Sequence, residues 1–195
     1  MTIVSAALLM FLVMDPLGNV PLFFSALKQV DSSRRTRVVF RELLVALVIL
    51  VLFLFLGQQV LRLLHITDPA LTVAGGVVLF LIALRMIFPS PDKSMHEEIE
   101  DEPFIVPLAI PYVAGPSALA TELLMMSREP QRWREWLLAV LLAWLASSVI
   151  LLFASRLSRS LGHKGLVAIE RLMGMVLITL AVQMLMSGLD KFVSR

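Results

Sequence analysis

Two hydrophobic segments of the chain are each interrupted by a short run of turn-forming residues, and these runs hold polar groups that could bind a solute. The first run is Asp-Pro-Leu-Gly-Asn-Val-Pro at residues 15–21, and the second is Pro-Tyr-Val-Ala-Gly-Pro at residues 111–116. Proline removes a backbone N–H donor and clashes with the preceding helical turn. We therefore predict that about one turn of helix is unwound at each run.

An unwound turn leaves amide and carbonyl groups without helical partners, and a membrane tolerates such backbone only where protein or a wet cavity covers it. The half-helices that follow the two runs would direct their positive N-terminal ends at the break, which suits a carboxylate. Asp15, Asn19 and free carbonyl groups could receive an ammonium group. The predicted partner is therefore a small zwitterionic solute. The predicted substrate-binding residues are Asp15, Gly18, Asn19, Ala114, Gly115, Ser117 and Thr121.

Each of these features also has a purely structural interpretation. The two runs could be packing kinks, since Gly and Pro are common in membrane helices. Asp15 could bond the broken turn, and Ser117 and Thr121, spaced i and i+4, could bond back to their own helix. Glu122 follows on the same half-helix, and the sequence suggests no partner for it.

Two further polar residues occupy matching places near the ends of hydrophobic segments. Arg85 and Gln183 fall at the same position of two similar stretches, residues 76–86 and 174–184, so both could line a cavity. The alternative for Arg85 is that its long side chain reaches up to the membrane interface.

The composition indicates a membrane protein. Hydrophobic residues make up 58% of the 195 positions and charged residues only 16%, whereas soluble domains have about 45–50% and about 25%. A spanning helix needs about 20 apolar residues. We predict an all-α integral membrane protein with six transmembrane helices, at roughly 3–27, 42–61, 71–88, 104–126, 135–155 and 171–189.

The chain divides into two similar halves. The spacing Pro-x4-Pro occurs at residues 16–21 and again at 111–116, and five of the eleven pairs between residues 76–86 and 174–184 are identical. We predict a first three-helix repeat at 1–90, an acidic connecting loop at 91–103 and a second three-helix repeat at 104–195. Three spans per half make the repeats inverted, with discontinuous first and fourth helices.

The distribution of Lys and Arg predicts the orientation. When the charges that flank each connection are included, eleven of the 17 belong to the connections between the first and second, third and fourth, and fifth and sixth spans. The side richer in these residues faces the cytoplasm, so both termini are predicted to be periplasmic.

Several functional classes are excluded or unsupported. The absence of Cys rules out disulfides, Fe–S clusters and thiol catalysis, and the three His residues fall in connections. No Ser–His, HExxH or GxSxG arrangement occurs. We expect no enzyme activity, no cofactor and no metal. Basic residues are not interleaved with aromatics, which argues against nucleic acid. Membrane lipid is an expected partner, and a homo-oligomer stays open.

Residues 14–23 and 107–116 together resemble the paired signatures of the MarC/SnatA (UPF0056) family, most closely its YhgN-like branch, and the likeness covers essentially the whole chain. The resemblance implies a multi-pass protein of the bacterial inner membrane in the LysE-like superfamily. It also implies transport of small neutral amino acids such as glycine and alanine, linked to the proton gradient. Two departures matter: many members have Asn in place of Asp15 and Gly in place of Ser117.

We therefore expect a secondary transporter of small neutral amino acids that works by alternating access. Backbone amides and Asn19, more than the carboxylate of Asp15, are expected to recognise the solute. Two alternatives stay open. One is a channel for small solutes or ions, and the other is a membrane scaffold or signalling partner that acts through the acidic connection.

Overall fold

The structure is a computed structural model, and it describes residues 1–27, 30–31, 33–88, 109 and 113–193. The predicted acidic loop at 91–103 lies outside these residues, as does most of the first half of the fourth predicted segment. Within the described ranges the ordered elements are all helical and no strand occurs. The all-α class is therefore confirmed for this part of the chain.

The chain forms seven α-helices in the described residues. In order they are α1 (Ile3–Met14), α2 (Val20–Ala26), α3 (Arg35–Leu63), α4 (Asp68–Ile87), α5 (Pro116–Arg128), α6 (Trp133–Leu152) and α7 (Ala154–Val193), with a short 3-10 turn (Pro130–Arg132) before α6. Four stretches among them are long and apolar enough to cross a membrane: Arg35–Leu63, Asp68–Ile87, Pro130–Leu152 and Lys164–Val193.

The first hydrophobic segment is interrupted where its sequence predicts. α1 starts with a capping box between Thr2 and Ser5 and ends at Met14, and α2 resumes at Val20. The twelve residues of α1 span about 18 Å, which is more than half of a hydrocarbon core of about 30 Å. The interruption therefore lies at membrane depth.

The last part of the chain differs from the prediction. The sequence indicates a polar connection over residues 156–170, but α7 is helical there on both sides of a kink at Gly162. Gly162 has φ 64° and ψ 176°, a conformation that glycine adopts without steric cost. Leu157 and Leu166, one on each side of the kink, pack against the main core. Their burial holds this polar stretch in helical form.

Helices α4 and α7 pack closely and run in opposite directions. A methyl group built on Gly76 would stand 3.1 Å from the Ala181 carbonyl oxygen, and one built on Gly174 would stand 3.1 Å from the Ala83 carbonyl oxygen. Residues early in one helix therefore face residues late in the other, so the two helices are antiparallel. The close approach of the two backbones explains the small residues at these four places.

Long-range contacts show which connections share one end of the molecule. Arg132 donates a hydrogen bond of 2.8 Å to the Met1 carbonyl oxygen, and the rings of Phe55 and Trp133 are 5.8 Å apart. Pro69, at the start of α4, lies against Gly188 near the end of α7. The N-terminus, the α3–α4 and α5–α6 connections and the end of α7 therefore lie at the same end.

The helices share two clusters of buried side chains. The larger, called here the main core, joins α1, α2, α3, α5, α6 and the start of α7. The smaller joins α4 to α7. The outer faces of α3 and α6 are exposed and apolar, as expected for a lipid-facing surface. Examples are Val48, Leu52, Leu56, Leu142, Leu145 and Val149.

Candidate functional site

The first break begins with a backbone reversal at Asp15. Asp15 has φ 44° and ψ 59°, and its N–H donates to the carbonyl oxygens of Phe11 and Leu12. This left-handed conformation is uncommon outside glycine, but aspartate and asparagine tolerate it. The polypeptide therefore leaves the helix at the residue that precedes Pro16.

Three of the predicted site residues form one hydrogen-bonded turn. The Gly18 N–H donates to Asp15 Oδ1 at 3.1 Å, and the Asn19 N–H donates to the Asp15 carbonyl at 3.0 Å. The Asn19 side chain donates from Nδ2 to the Met14 carbonyl at 2.9 Å. Asp15 and Asn19 are only 6% and 9% exposed. The Asp15 side chain therefore bonds the broken turn, as the structural interpretation expects. The hydrogen bond from the Gly18 N–H is made to Oδ1 and does not involve Oδ2.

Gly18 connects the first break to the α4–α7 pair. A methyl group at Gly18 would stand 2.1 Å from Asp15 Oδ2 and 2.4 Å from the Met86 methyl carbon. Met86 belongs to the smaller core cluster. Only glycine fits at this position without moving the carboxylate or the Met86 side chain.

The N-terminus of α2 does not provide the anion site that the sequence suggests. The helix has seven residues, and its first N–H, that of Val20, donates to the Leu17 carbonyl at 3.3 Å. A helix of two turns has a small macrodipole, and Pro21 supplies no N–H. The prediction of a carboxylate at a helix N-terminus therefore depends on α5 alone.

The second break ends in an uncapped helix start. The Ala114 N–H donates to the Ala109 carbonyl at 2.9 Å, and Gly115 is extended, with φ −77° and ψ 162°. Pro116 is the first residue of α5, and no side chain caps the helix. Gly115 has no side chain that could cap the helix, so the first-turn N–H groups of this thirteen-residue helix have no side-chain acceptor among the described residues,, and they lie beside the buried Ala114.

Ser117 and Thr121 lie on one buried face of α5. Both side chains are buried, and Thr121 Oγ1 donates to the Ser117 carbonyl at 2.8 Å. The Thr121 hydroxyl therefore bonds back to its helix, as the structural interpretation expects. Its oxygen keeps acceptor capacity. Because α1 packs against α5, the helix before the first break and the helix after the second belong to one bundle.

Arg85 and Gln183 are not part of either break. Both side chains are exposed, next to exposed apolar residues of the same helix faces such as Leu81 and Met186. Gln183 Nε2 donates to Ser187 Oγ at 3.2 Å. The described structure places both on the outer surface of the α4–α7 pair, so the geometry does not support a cavity-lining role.

Two buried carboxyl groups were not predicted as site residues. Glu122 is 0% exposed on α5, and neither of its carboxyl oxygens has a hydrogen-bond partner among the described residues. Glu42, also 0% exposed, pairs with Arg41 at 2.8 Å. The sequence shows Glu122 as a lone carboxyl group in an apolar half-helix. That pattern alone does not indicate whether the side chain points into the bundle or towards its surface.

Comparison with known proteins identifies relatives over nearly the full length. The family model described as MarC family integral membrane protein matches residues 1–193. The chain is 47% identical over 188 residues to the UPF0056 inner membrane protein YhgN of Escherichia coli K12, covering 96% of this chain and 95% of that protein. It is 34% identical over 185 residues to a UPF0056 membrane protein of Chlamydia muridarum, covering 94% and 90%. No solved structure matches the chain.

Proposed function

Because the chain belongs to the MarC family of integral membrane proteins, we propose that it is a secondary transporter of small neutral amino acids of the glycine and alanine class. It works in the bacterial inner membrane, the location named for its E. coli relative, by alternating access. The names of the family and of the relatives give no substrate, so the zwitterionic class rests on the chemistry of the two breaks, and the choice of glycine and alanine rests on the resemblance of residues 14–23 and 107–116 to the MarC/SnatA family.

The observation that carries the proposal is that the buried first break and the buried, uncapped start of α5 lie in one bundle. The uncapped start of α5 offers N–H groups to a carboxylate,. The turn at Asp15 and Asn19 places a carboxylate and carbonyl oxygens within the bundle, and these suit an ammonium group. A zwitterion, which carries a carboxylate and an ammonium group, matches both sets of groups.

The small residues at the breaks limit the size of the solute. A methyl group at Gly18 would displace the Asp15 carboxylate and the Met86 side chain, and Ala114 and Gly115 are buried beside the start of α5. Larger side chains on the solute would meet tightly packed protein. Glycine and alanine, which the resemblance to the MarC/SnatA family implies, are the smallest members of the class and suit these small residues.

An inverted repeat would supply the alternating access. The aligned positions Gly76 and Gly174 make exchanged contacts with the aligned positions Ala181 and Ala83, and such exchange is expected of a pseudo-two-fold axis between α4 and α7. Together with their antiparallel packing, it supports halves at 1–90 and 104–195. With both termini periplasmic, the two halves would rock around a central site.

Counterflow in proteoliposomes tests the proposal. Vesicles loaded with unlabelled glycine or alanine should take up labelled solute transiently and saturably, which a passive channel does not do. We expect Asn19→Ala and Gly115→Leu to reduce counterflow, since one changes the first turn and the other blocks the start of α5. Gln59→Ala and Ala74→Leu, matched changes at exposed positions, should leave it unchanged.

A thermal-shift screen of the purified protein against amino acids provides an independent measurement. A solute that binds the native state raises the unfolding temperature. Absence of counterflow and of any shift with glycine or alanine, together with no effect of Asn19→Ala and Gly115→Leu on any solute, would show that the proposed site is wrong.

A further inference from the structure

Glu122 is an ionisable side chain in an apolar interior. It is 0% exposed, and Oε1 and Oε2 have no hydrogen-bond partner among the residues that the structure describes. Ala118 and Met125, one turn before and one turn after it on α5, both belong to the main core. The neighbouring Leu123 packs against Gly57 of α3. The carboxyl group therefore lies between helices and away from lipid.

The buried hydroxyl groups of the neighbouring helix α6 are neutral. Ser147 and Ser148 of α6, which packs against α5, are buried, and each has a hydroxyl oxygen without a partner in the described ranges. Ala143 and Leu151, one turn on either side of Ser147, belong to the same main core. Hydroxyl groups can bond a protonated carboxyl, but they do not neutralise a carboxylate.

Charged groups on the surrounding helices do not pair with Glu122. Helix α1 carries none, and the buried carboxyl group at its C-cap, that of Asp15, accepts a hydrogen bond from the Gly18 N–H. The charged residues of the other elements packed on α5, and of α5 itself, are Arg35, Arg37, Arg41, Glu42, Arg62, Asp68, Arg85, Arg128, Arg132, Arg134 and Glu135. The buried member of this group is Glu42, which pairs with Arg41. Glu42 lies fifteen residues before Gly57 on α3, about 22 Å along the helix.

An unpaired carboxylate is strongly disfavoured in such surroundings. In the packed arrangement that the structure describes, a proton on Glu122 would remove the charge. The same helix carries the uncapped start at Pro116 and the buried face of Ser117 and Thr121. Proton binding and solute binding therefore act on a single element, which is the condition for coupling the two.

We propose that Glu122 binds the coupling proton of the transporter, a step that rests on the proposed function. The carboxylate takes up a proton from water on the acidic side when α5 is open to that side, and the neutral carboxyl then allows α5 to close. When the site opens to the alkaline side, Glu122 releases the proton to water. The solute leaves on the same side, and the emptied, water-filled site returns with Glu122 ionised, so each cycle carries one proton together with one solute.

The test compares two transport measurements on one preparation. Wild-type protein in proteoliposomes should show counterflow at equal pH and should accumulate labelled glycine or alanine when a pH gradient is imposed. Glu122→Gln imitates the protonated form, so counterflow should persist while accumulation is lost. Glu122→Asp keeps the carboxyl and should keep accumulation. Glu42→Gln removes a buried carboxyl that has a cation partner, and it should behave as wild type.

Infrared spectroscopy gives a readout that does not need transport. A protonated carboxylic acid has a C=O band distinct from that of a carboxylate, and we expect such a band in wild type and Glu42→Gln but not in Glu122→Gln. Undiminished pH-driven accumulation or an unchanged band in Glu122→Gln would overturn the inference, as would accumulation driven by Na⁺ alone. Absence of counterflow in wild type would instead overturn the proposed function, and the coupling role with it.

Discussion

Gly76 of α4 packs directly against the backbone carbonyl of Ala181 in α7, where a methyl group would stand 3.1 Å from the oxygen. Gly174 has the same relationship to the carbonyl of Ala83, also at 3.1 Å. In each helix the glycine precedes the alanine by seven residues, or two helical turns. The two contacts are therefore exchanged copies of one another, and glycine is needed at both ends of the interface because backbone meets backbone.

This interface predicts that larger side chains at either glycine destabilise the protein. Gly76→Leu and Gly174→Leu should each cost about 1–3 kcal/mol through overpacking, because a backbone carbonyl cannot move aside as a flexible side chain can. The measurement is the unfolding midpoint of the detergent-solubilised protein. Ala74→Leu, on the exposed face of α4, is the matched control. Equal midpoints for Gly76→Leu and Ala74→Leu would contradict the close packing.

The turn at Asp15 should depend on the side-chain oxygen more than on the charge. Asp15→Asn keeps an acceptor for the Gly18 N–H and tolerates the left-handed backbone, so its stability and solute exchange should stay close to wild type. Asp15→Ala loses the bond and strains the backbone, which should cost about 1–2 kcal/mol. Thermal unfolding and counterflow of the two variants check this. A large loss in Asp15→Asn would show that the carboxylate itself is required.

A hydrogen bond between distant parts of the sequence joins α3 to α6. Trp144 Nε1 donates to the Leu43 carbonyl at 2.8 Å. Trp144→Phe keeps most of the ring but loses the donor, so we expect a loss of about 1 kcal/mol in the free energy of unfolding. Trp133→Phe, at a tryptophan that is 38% exposed, is the control. The prediction fails if the two variants unfold at the same denaturant concentration.

Acidification should loosen the α5–α6 connection. The hydrogen bond from Arg132 holds the pKa of Glu129 below its usual value of 4.5, so this interaction is complete above pH 4.5 and is lost as the pH falls below it. Because Trp136 Nε1 donates to the Glu129 carbonyl at 2.9 Å, tryptophan emission should report the change. Arg132→Gln should remove this acid transition, whereas Arg134→Gln, at an exposed neighbour, should retain it.

Much of the fold could be predicted from residues that are close together in sequence. Long apolar runs require a membrane, and Pro16, Gly18 and Asn19 within one such run require an interruption, because proline and turn formers act on their own backbone. The similarity of residues 76–86 to 174–184 could also be seen in the sequence, because it requires only a comparison of two short stretches. The helical form of residues 156–170 was not, since it depends on Leu157 and Leu166 meeting a distant core.

The sequence alone determined that the chain lies in a membrane and where its first helix breaks, because composition and local backbone chemistry depend on neighbouring residues. Only the tertiary structure decided which breaks are capped, which glycines meet which carbonyls, and which carboxyl is buried without a partner. The difference between Glu42 and Glu122 shows the reason. Both are acids in apolar helices, but the burial of each and the pairing of one with Arg41 depend on how helices pack, which no local pattern encodes.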